Sequence, residues 1–311
     1  MIKKITGLTA FVAGVLGAAG SALAETSLAA PLVDWQIWHQ PAGSEMMRKI
    51  EAFDAYTLWF MIPITLFVMI LLAIVMIKFN AKSNPTPSKT SHNSLIEVLW
   101  TLGPVVILVA LSLPSFKLLT AQYSPPSAPD ITIKATGYQW YWGYEYQTGD
   151  EVSFESVLIG RDNGSAASKA EALEEREEYG KTDIAKYPRL LAVDNEMVVP
   201  VNKHIRVLVT AAVDGVIHNF ALPAFGLKTD AVPGRLNEVW FIAEKEGLYY
   251  GQCSELCGKD HAFMPIAIRV VSDEQYKTWQ EVAADDDLEG ANKALMVSIE
   301  SNNKAIQLAN K

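Results

Sequence analysis

Two long apolar runs constrain this chain more than any other feature. Residues 55–79 and 95–119 each exceed the roughly 20 residues needed to cross a hydrocarbon core about 30 Å thick. Pro63, Pro104 and Pro114 lie inside them and would weaken soluble helices, but neighbouring helices in a bilayer can satisfy the freed backbone groups. We therefore predict a two-helix transmembrane hairpin in contact with the lipid bilayer, which excludes a wholly soluble fold.

Charge and the N-terminus predict one orientation for this hairpin. The connection, residues 80–94, carries lysines and no acid, so the positive-inside rule places it in the cytoplasm. Residues 1–24 have a basic start, a short apolar stretch and a small-residue cleavage motif, which predict a signal peptide. Both cues place segment 25–54 and the chain after 119 outside. We expect a multi-pass protein of a bacterial inner membrane, with its N-terminus and C-terminal domain in the periplasm.

The exported part, residues 120–282, has the pattern of an all-β domain. Runs such as 131–136 and 205–211 are rich in β-forming residues and are separated by Gly, Pro and Asp turn signals. The aromatic run 138–146 is predicted to be one extended strand with its alternating aromatic side chains on one face. The spacing of the turn signals between these strand-like runs is typical of an antiparallel sandwich or barrel.

Two segments of the exported part stand apart from the strand pattern. Residues 160–186 are rich in Glu, Ala and Lys and are interpreted as an inserted, solvated loop with a short helix near 169–178. Residues 283–311 form a C-terminal tail with an acidic patch. From 120 to the end there are 29 acidic and 18 basic residues, a net charge of −11. Such a surface suits a basic partner, or simply keeps the domain soluble.

Both cysteines of the chain lie in one twelve-residue stretch with other soft metal ligands. Cys253, Cys257, His261 and Met264 are the donor types that select copper over magnesium or calcium. His218 is the best candidate for a further ligand, placed where a strand is predicted to end. A lone histidine beside apolar residues is, however, more often a core residue.

Three chemistries compete for this stretch. A disulfide would close a ring over only three intervening residues, which is geometrically awkward, and leaves His261 and Met264 unexplained. Tetrahedral zinc would suit two cysteines and two histidines, but a thioether is a poor zinc ligand. A single blue-copper centre needs one cysteine, so the second cysteine raises the possibility of two copper ions bridged by two thiolates.

The residues around these cysteines resemble a known family. The string 251–265 resembles the dinuclear CuA loop of cytochrome c oxidase subunit II, 137–146 its aromatic strand, 227–235 the loop that follows, and 96–101 the start of its second membrane helix. The resemblance covers about residues 50–282. It implies a two-helix transmembrane hairpin followed by an all-β, cupredoxin-like Greek-key domain.

The resemblance also implies the metal ligands. The Glu255 side chain matches the one that reaches a Mg²⁺ ion shared with subunit I, and a carboxylate is the hard oxygen ligand that magnesium prefers. The copper ligands would be His218, Cys253, Cys257, His261, Met264 and the backbone carbonyl of Glu255.

Further roles follow by the same resemblance. Trp140 matches the residue at which electrons enter from cytochrome c, although an aromatic stripe on a strand is usually core. Glu97 matches the glutamate at the mouth of a proton channel of subunit I, although a first-turn acid also suits the helix dipole. The acids that match the docking surface are Glu145 and Asp214, with Asp150, Glu151 and Asp230 less clearly matched.

The function implied is that of subunit II of a terminal cytochrome c oxidase. It would accept electrons from cytochrome c and pass them to haem a in subunit I, where O₂ reduction is coupled to proton pumping. Its partners would be subunit I, other oxidase subunits and cytochrome c, with no nucleic acid. The alternatives are a quinol-oxidase subunit II without copper, a copper chaperone with a Cys-x-x-x-Cys site, and a redox-inert subunit with a disulfide.

Overall fold

The computed structural model describes residues 29–309 except 31, 34, 87, 148 and 150. The predicted signal peptide lies outside the described residues, and so does Asp150. Two long helices come first, α1 (Glu45–Lys78) and α2 (Ser94–Tyr123), and both are long and apolar enough to cross a membrane. They begin earlier than the apolar runs alone predict, because polar side chains cap them: Ser44 accepts from the Met47 amide, and Asn93 accepts from those of Leu95 and Ile96.

A β-sandwich with three further helices follows the hairpin. The strands are β1 (Ile131–Tyr138), β2 (Tyr141–Tyr146), β3 (Val152–Ser156), β4 (Met197–Pro200), β5 (His204–Ala211), β6 (His218–Leu222), β7 (Leu227–Ala231), β8 (Asn237–Ile242), β9 (Gly247–Cys253) and β10 (Pro265–Val271); the helices are α3 (Ala166–Glu178), α4 (Asp273–Ala284) and α5 (Leu288–Ala309). The two five-stranded sheets have the strand orders β3-β2-β1-β5-β8 and β4-β10-β9-β6-β7. The pairs β1/β5 and β4/β10 are parallel and the remaining pairs are antiparallel, so the sandwich is mixed rather than wholly antiparallel. This is the predicted cupredoxin-like architecture.

The core of the sandwich explains why these residues form strands. Along β5 every second side chain, from Ile205 through Val207 to Val209, is fully buried, and the side chains between them are partly exposed. β10 is buried along its whole length, where it lies between β4 and β9 in the interior of its sheet. The core is therefore continuous between the sheets and extends under the C-terminal helices.

The aromatic run is not one strand, and that prediction was wrong. Tyr138 pairs with Tyr141 across a tight hairpin, so Gln139 and Trp140 form its turn. Trp142, Tyr144 and Tyr146 do share a buried face, but Trp140 stands at the end of the sandwich and is only half-buried. The alternating pattern continues through the turn, so it could not mark where the chain reverses.

The segment 160–186 and the tail both pack on the sandwich. Helix α3 occupies the predicted helical part of the segment. Trp279 of α4 donates to Asn292 of α5 across 2.9 Å, and Ala291 and Leu295 of α5 are buried against the same core. The tail is therefore part of the folded domain and not a detached helix.

A buried ion cluster, Lys181, Glu196 and Arg269, joins the segment to β10. Lys181 Nζ lies 3.1 Å from Glu196 Oε1 and donates to the carbonyls of Val193 and Asp194, and Arg269 Nε donates to Glu196 Oε2. Burial alone would raise the pKa of Glu196, but Arg269 and then Lys181 outweigh it and lower this pKa to about 2. The expectation that the segment is simply solvated was wrong, because Lys181 is buried.

Candidate metal centre

Three strands bring the predicted metal ligands to one end of the sandwich. β9 ends at Cys253, the loop carrying the other soft donors follows, and β10 begins at Pro265, paired with Gln252. β6 lies beside β9, with Phe220 opposite Cys253. His218 therefore sits at the start of β6, and not at the end of a strand as predicted, with its side chain towards Cys253.

The side chains form a sulfur cluster, defined here as His218, Cys253, Cys257, His261 and Met264. The two Sγ atoms lie 3.8 Å apart. His218 Nδ1 is 3.9 Å from the sulfur of Cys253, and His261 Nδ1 is 3.4 Å from that of Cys257. Met264 Sδ lies 3.6 Å from Cys257, and the carbonyl oxygen of Glu255 lies 3.3 Å from Cys253. All six predicted copper donors thus meet at one place.

The distance between the two sulfurs distinguishes a disulfide from a metal centre. Both cysteines are free, and 3.8 Å is far longer than the disulfide bond of about 2.05 Å. A metal ion can reach both sulfurs, because twice a typical metal–sulfur length of about 2.3 Å exceeds their separation. The donor set therefore fits a bridged metal centre.

The electrostatics of the sulfur cluster fit a bound cation. Burial, and then the neighbouring Cys253, raise the pKa of Cys257 to about 12, so the protein alone does not stabilise two thiolates here. Burial and then His261 lower the pKa of His218, which favours the neutral imidazole that binds metals. Metal binding needs deprotonated cysteine and neutral histidine, and the positive charge of the metal stabilises that state.

Two glycines that the sequence did not single out allow close packing around the sulfur cluster. A Cβ on Gly137 would lie 2.9 Å from Cδ2 of His218, so only glycine allows β1 to pack against that ring. Gly258 has φ +118°, and a Cβ there would lie 2.9 Å from Trp140. Trp140 Nε1 also donates to the carbonyl of Cys257 across 3.0 Å. The hairpin turn therefore holds the loop at Cys257 and Gly258.

The remaining predicted site residues lie elsewhere. The Glu255 side chain is exposed, and only its carbonyl faces the sulfur cluster. Glu97 lies in the first turn of α2 and accepts from the Asn93 amide across 3.3 Å, the capping role open to any first-turn acid. It stands at the end of α2 remote from the β-sandwich.

The predicted docking acids differ in their surroundings. Asp214 and Glu151 are exposed. Glu145 pairs with Lys134 across 2.7 Å, and Asp230 accepts from Asn219 Nδ2 across 2.7 Å. These two carboxylates therefore already have partners within the domain.

Comparison with known proteins identifies the family. The family described as "Cytochrome C oxidase subunit II, periplasmic domain" matches residues 131–271, and its "transmembrane domain" matches 32–118. A cytochrome c oxidase subunit 2 from Cereibacter sphaeroides is 44% identical over 284 residues, which cover 90% of this chain and 91% of that protein. This chain belongs to the cytochrome c oxidase subunit II family. It is therefore a component of an oxidoreductase complex in a membrane.

A second relative agrees with this assignment. A probable cytochrome c oxidase subunit 2 from Rickettsia bellii is 46% identical over 245 residues, which cover 79% of this chain and 83% of that protein. A crystal structure of the periplasmic domain of subunit II of cytochrome oxidase (CoxB) from Bradyrhizobium japonicum is 55% identical. It covers 51% of this chain and 97% of its own, with a TM-score of 0.42. Within this family, the buried His218, Cys253 and Cys257 group is compatible with copper binding.

Proposed function

We propose that the sulfur cluster holds a dinuclear copper centre, CuA, and that this chain takes electrons from cytochrome c and passes them to haem a of subunit I. Reduction of O₂ and proton pumping would then occur in subunit I. The observation that carries the proposal is the pair of free thiols 3.8 Å apart with an imidazole Nδ1 beside each.

The number of donors supports two metal ions over one. Two thiolates can be shared, and the remaining donors are two imidazoles and two weaker ligands, the thioether of Met264 and the carbonyl of Glu255. When bound, such a centre supplies one-electron transfer with little change of geometry. The protein buries Cys253, Cys257 and His218, which excludes water from the ligands and holds them in place.

Trp140 is proposed as the point of electron entry. Its ring is half-buried at the hairpin turn, so one part faces solvent while Nε1 is bonded to the carbonyl of a ligand residue, Cys257. The acids Glu145, Glu151, Asp214 and Asp230, with Asp150 outside the described residues, would contribute to docking of a basic cytochrome c. The net charge of −11 over residues 120–311 supports this part of the proposal.

The contacts with subunit I and with the membrane complete the proposal. The exposed carboxylate of Glu255 would bind Mg²⁺ at the interface with subunit I, and Glu97 would stand at the entrance of a proton channel. The β-sandwich would lie in the periplasm and the 80–94 connection in the cytoplasm of a bacterial cell, after removal of residues 1–24. The exported domain would comprise 120–282, with 283–311 as its tail.

Metal analysis combined with EPR of the purified oxidase complex tests the copper proposal. We expect two copper ions bound by this chain and a mixed-valence signal in which one unpaired electron couples to two equivalent copper nuclei. Zinc, a single copper ion, or a disulfide between Cys253 and Cys257 in the purified complex would refute it.

A further inference from the structure

The loop that carries His261 is held on its outer side by an arginine from the inserted segment. Arg161 Nη2 donates to Asp260 Oδ1 across 2.9 Å. The same guanidinium stacks on the ring of Phe263, with Cζ 3.7 Å from the ring centroid. One planar side chain therefore contacts the residue before His261 and the residue before Met264.

These contacts fall on the two ends of a short helical turn. His261–Phe263 is a single 3₁₀ turn, and the Phe263 amide donates to the carbonyl of Asp260 across 2.8 Å. His261 is carried at the first position of this turn, with Nδ1 3.4 Å from Cys257 Sγ. Because the turn is so short, movement of either end changes the direction of the His261 ring.

Arg161 is itself held firmly on both sides along the chain. The Gly160 amide donates to Glu175 of α3 across 2.7 Å, and Gly160, at φ +69°, leaves no room for a Cβ beside Arg176. On the other side, Asp162 accepts from Arg189 Nε across 3.2 Å. The backbone that presents the guanidinium is therefore anchored to the segment and not to the ligand loop.

A second cation near Asp260 does not replace this contact. Lys259 Nζ lies 4.0 Å from Asp260 Oδ2 and is 78% exposed, so solvent screens the pair. Arg161 instead combines a charge-assisted hydrogen bond with stacking on an aromatic ring, a geometry that lysine cannot reproduce. Asp260 is only 19% exposed beside it.

We propose that Arg161 is a positioning residue for the metal centre: it fixes the 3₁₀ turn that orients His261, so that the inserted segment sets how tightly copper is held and the potential of the site. This rests on the proposed function, because it assumes that His261 binds copper. Trp140 holds the loop at Cys257 and Gly258, and Arg161 holds it at Asp260 and Phe263.

Arg161→Gln in the full chain within the oxidase tests the inference. The measured quantities are the rate of copper release to an excess of a copper chelator, the EPR hyperfine splitting and the midpoint potential. Loss of a half-exposed ion pair and a cation–π contact predicts about tenfold faster copper release. We also expect a changed hyperfine splitting and potential, at unchanged copper content before chelation.

Matched variants separate positioning from general folding. Arg48→Gln removes an arginine of similar exposure, 51% against 50%, whose guanidinium also pairs with a carboxylate, that of Glu244, but lies outside the inserted segment; it should behave as wild type in all three measurements. Arg161→Lys keeps the charge and should restore the release rate only in part. Phe263→Leu removes the stacking partner and should shift the spectrum in the same sense as Arg161→Gln.

The outcomes are distinguishable from failure of the proposed function. If the wild-type chain holds no dinuclear copper, the proposed function fails. If it holds copper, and Arg161→Gln leaves release, splitting and potential at wild-type values, the inference is overturned. Equal changes in Arg161→Gln and Arg48→Gln would also overturn it, because they would show a general effect of losing a half-exposed ion pair.

Discussion

The sulfur cluster and the buried ion cluster both include residues at or next to the same strand, β10. They differ in whether the protein itself supplies charges of both signs. Met264 immediately precedes β10, and Arg269 lies within it. In the ion cluster opposite charges meet, with Lys181 and Arg269 both on the carboxylate of Glu196. In the sulfur cluster, thiols and imidazoles lie against one another, and burial raises the pKa of Cys257 and lowers that of His218, which favours the neutral form of both side chains.

Only the ion cluster has its charges balanced by side chains of the protein itself. Glu196 and Arg269 each favour the charged form of the other, since Arg269 lowers the pKa of Glu196 and Glu196 raises that of Arg269 against the opposing effect of burial. Burial lowers the pKa of Lys181, so the Glu196–Arg269 pair carries most of the interaction. The ion cluster is thus complete within the protein, whereas the sulfur cluster is suited to receive a cation.

Cys257→Ser should have the largest effect, and the effect should be confined to metal binding. A hydroxyl is a hard, weakly acidic ligand, so replacing one of the two sulfurs should weaken copper binding by more than the roughly 10–100-fold seen when only a supporting partner is lost. Copper content of the purified chain and its thermal unfolding midpoint in the metal-free state are the measurements. We expect little copper and a midpoint close to wild type.

Ser254→Ala is the matched control, because Ser254 is exposed on the same loop. It should retain copper fully. A large fall in the metal-free midpoint of Cys257→Ser would contradict the comparison, since it would show that the cysteine stabilises the fold even without metal.

Glu196→Gln should have the opposite profile, with lower stability and intact metal binding. Breaking a buried ion pair on one side leaves two uncompensated cations and costs about 3–5 kcal/mol. Denaturant unfolding measures this loss, and copper content under native conditions should equal that of wild type. Glu244→Gln, which breaks a surface pair with Arg48, should cost much less because solvent screens that pair.

The Glu196–Arg269 pair also predicts how the stability of the protein depends on pH. Because the pKa of Glu196 is lowered from 4.5 to about 2 in the folded state, its stabilising contribution is present above about pH 4.5 and is lost as the pH falls towards 2. The shift corresponds to about 3 kcal/mol. The free energy of unfolding should fall more in wild type than in Glu196→Gln between pH 5 and 3. If it falls equally in both proteins, the Glu196–Arg269 pair contributes nothing to this dependence.

The sequence predicted the parts of the molecule that are local or repetitive. Apolar length predicted the hairpin, β-periodicity predicted most strands, and dense spacing predicted Cys253, Cys257, His261 and Met264 as one cluster. The strand that begins at His218 was not predicted, because its five residues are all buried and show no alternation. His218 could still be proposed as a ligand, since its residue type and the family resemblance do not depend on strand bounds.

The sequence did not predict the contacts between charged residues that lie far apart in the chain. Glu196 and Arg269 are 73 positions apart, and Arg161 and Asp260 are 99 apart. Charged residues are normally exposed, so composition alone assigns all of these to solvent. Only the folded pairing of β4 with β10 and the return of the inserted segment over the ligand loop bring them together.

Trp140→Phe should have the smallest effect on stability and should reveal whether the sulfur cluster needs support from the hairpin turn. The change keeps an aromatic ring and removes the hydrogen bond from Nε1 to the Cys257 carbonyl, a loss of about 1 kcal/mol. We expect copper content to be kept and reduction by cytochrome c to be slowed, as measured by stopped-flow absorbance. Loss of copper would instead show that the ring contact alone does not hold the ligand loop and that the Nε1 hydrogen bond is required.

Trp240→Phe is the control that gives this result its meaning. Trp240 is also partly buried, and its Nε1 donates to the carbonyl of Gln122 across 2.8 Å, but it lies on β8 and joins the sandwich to α2. Both variants lose one hydrogen bond from an indole N–H to a backbone carbonyl, so the free energy of unfolding should fall by a similar amount in both. A slower reduction in Trp140→Phe alone would therefore come from the loss of the indole beside Cys257, whereas equal slowing in both would assign the effect to the fold.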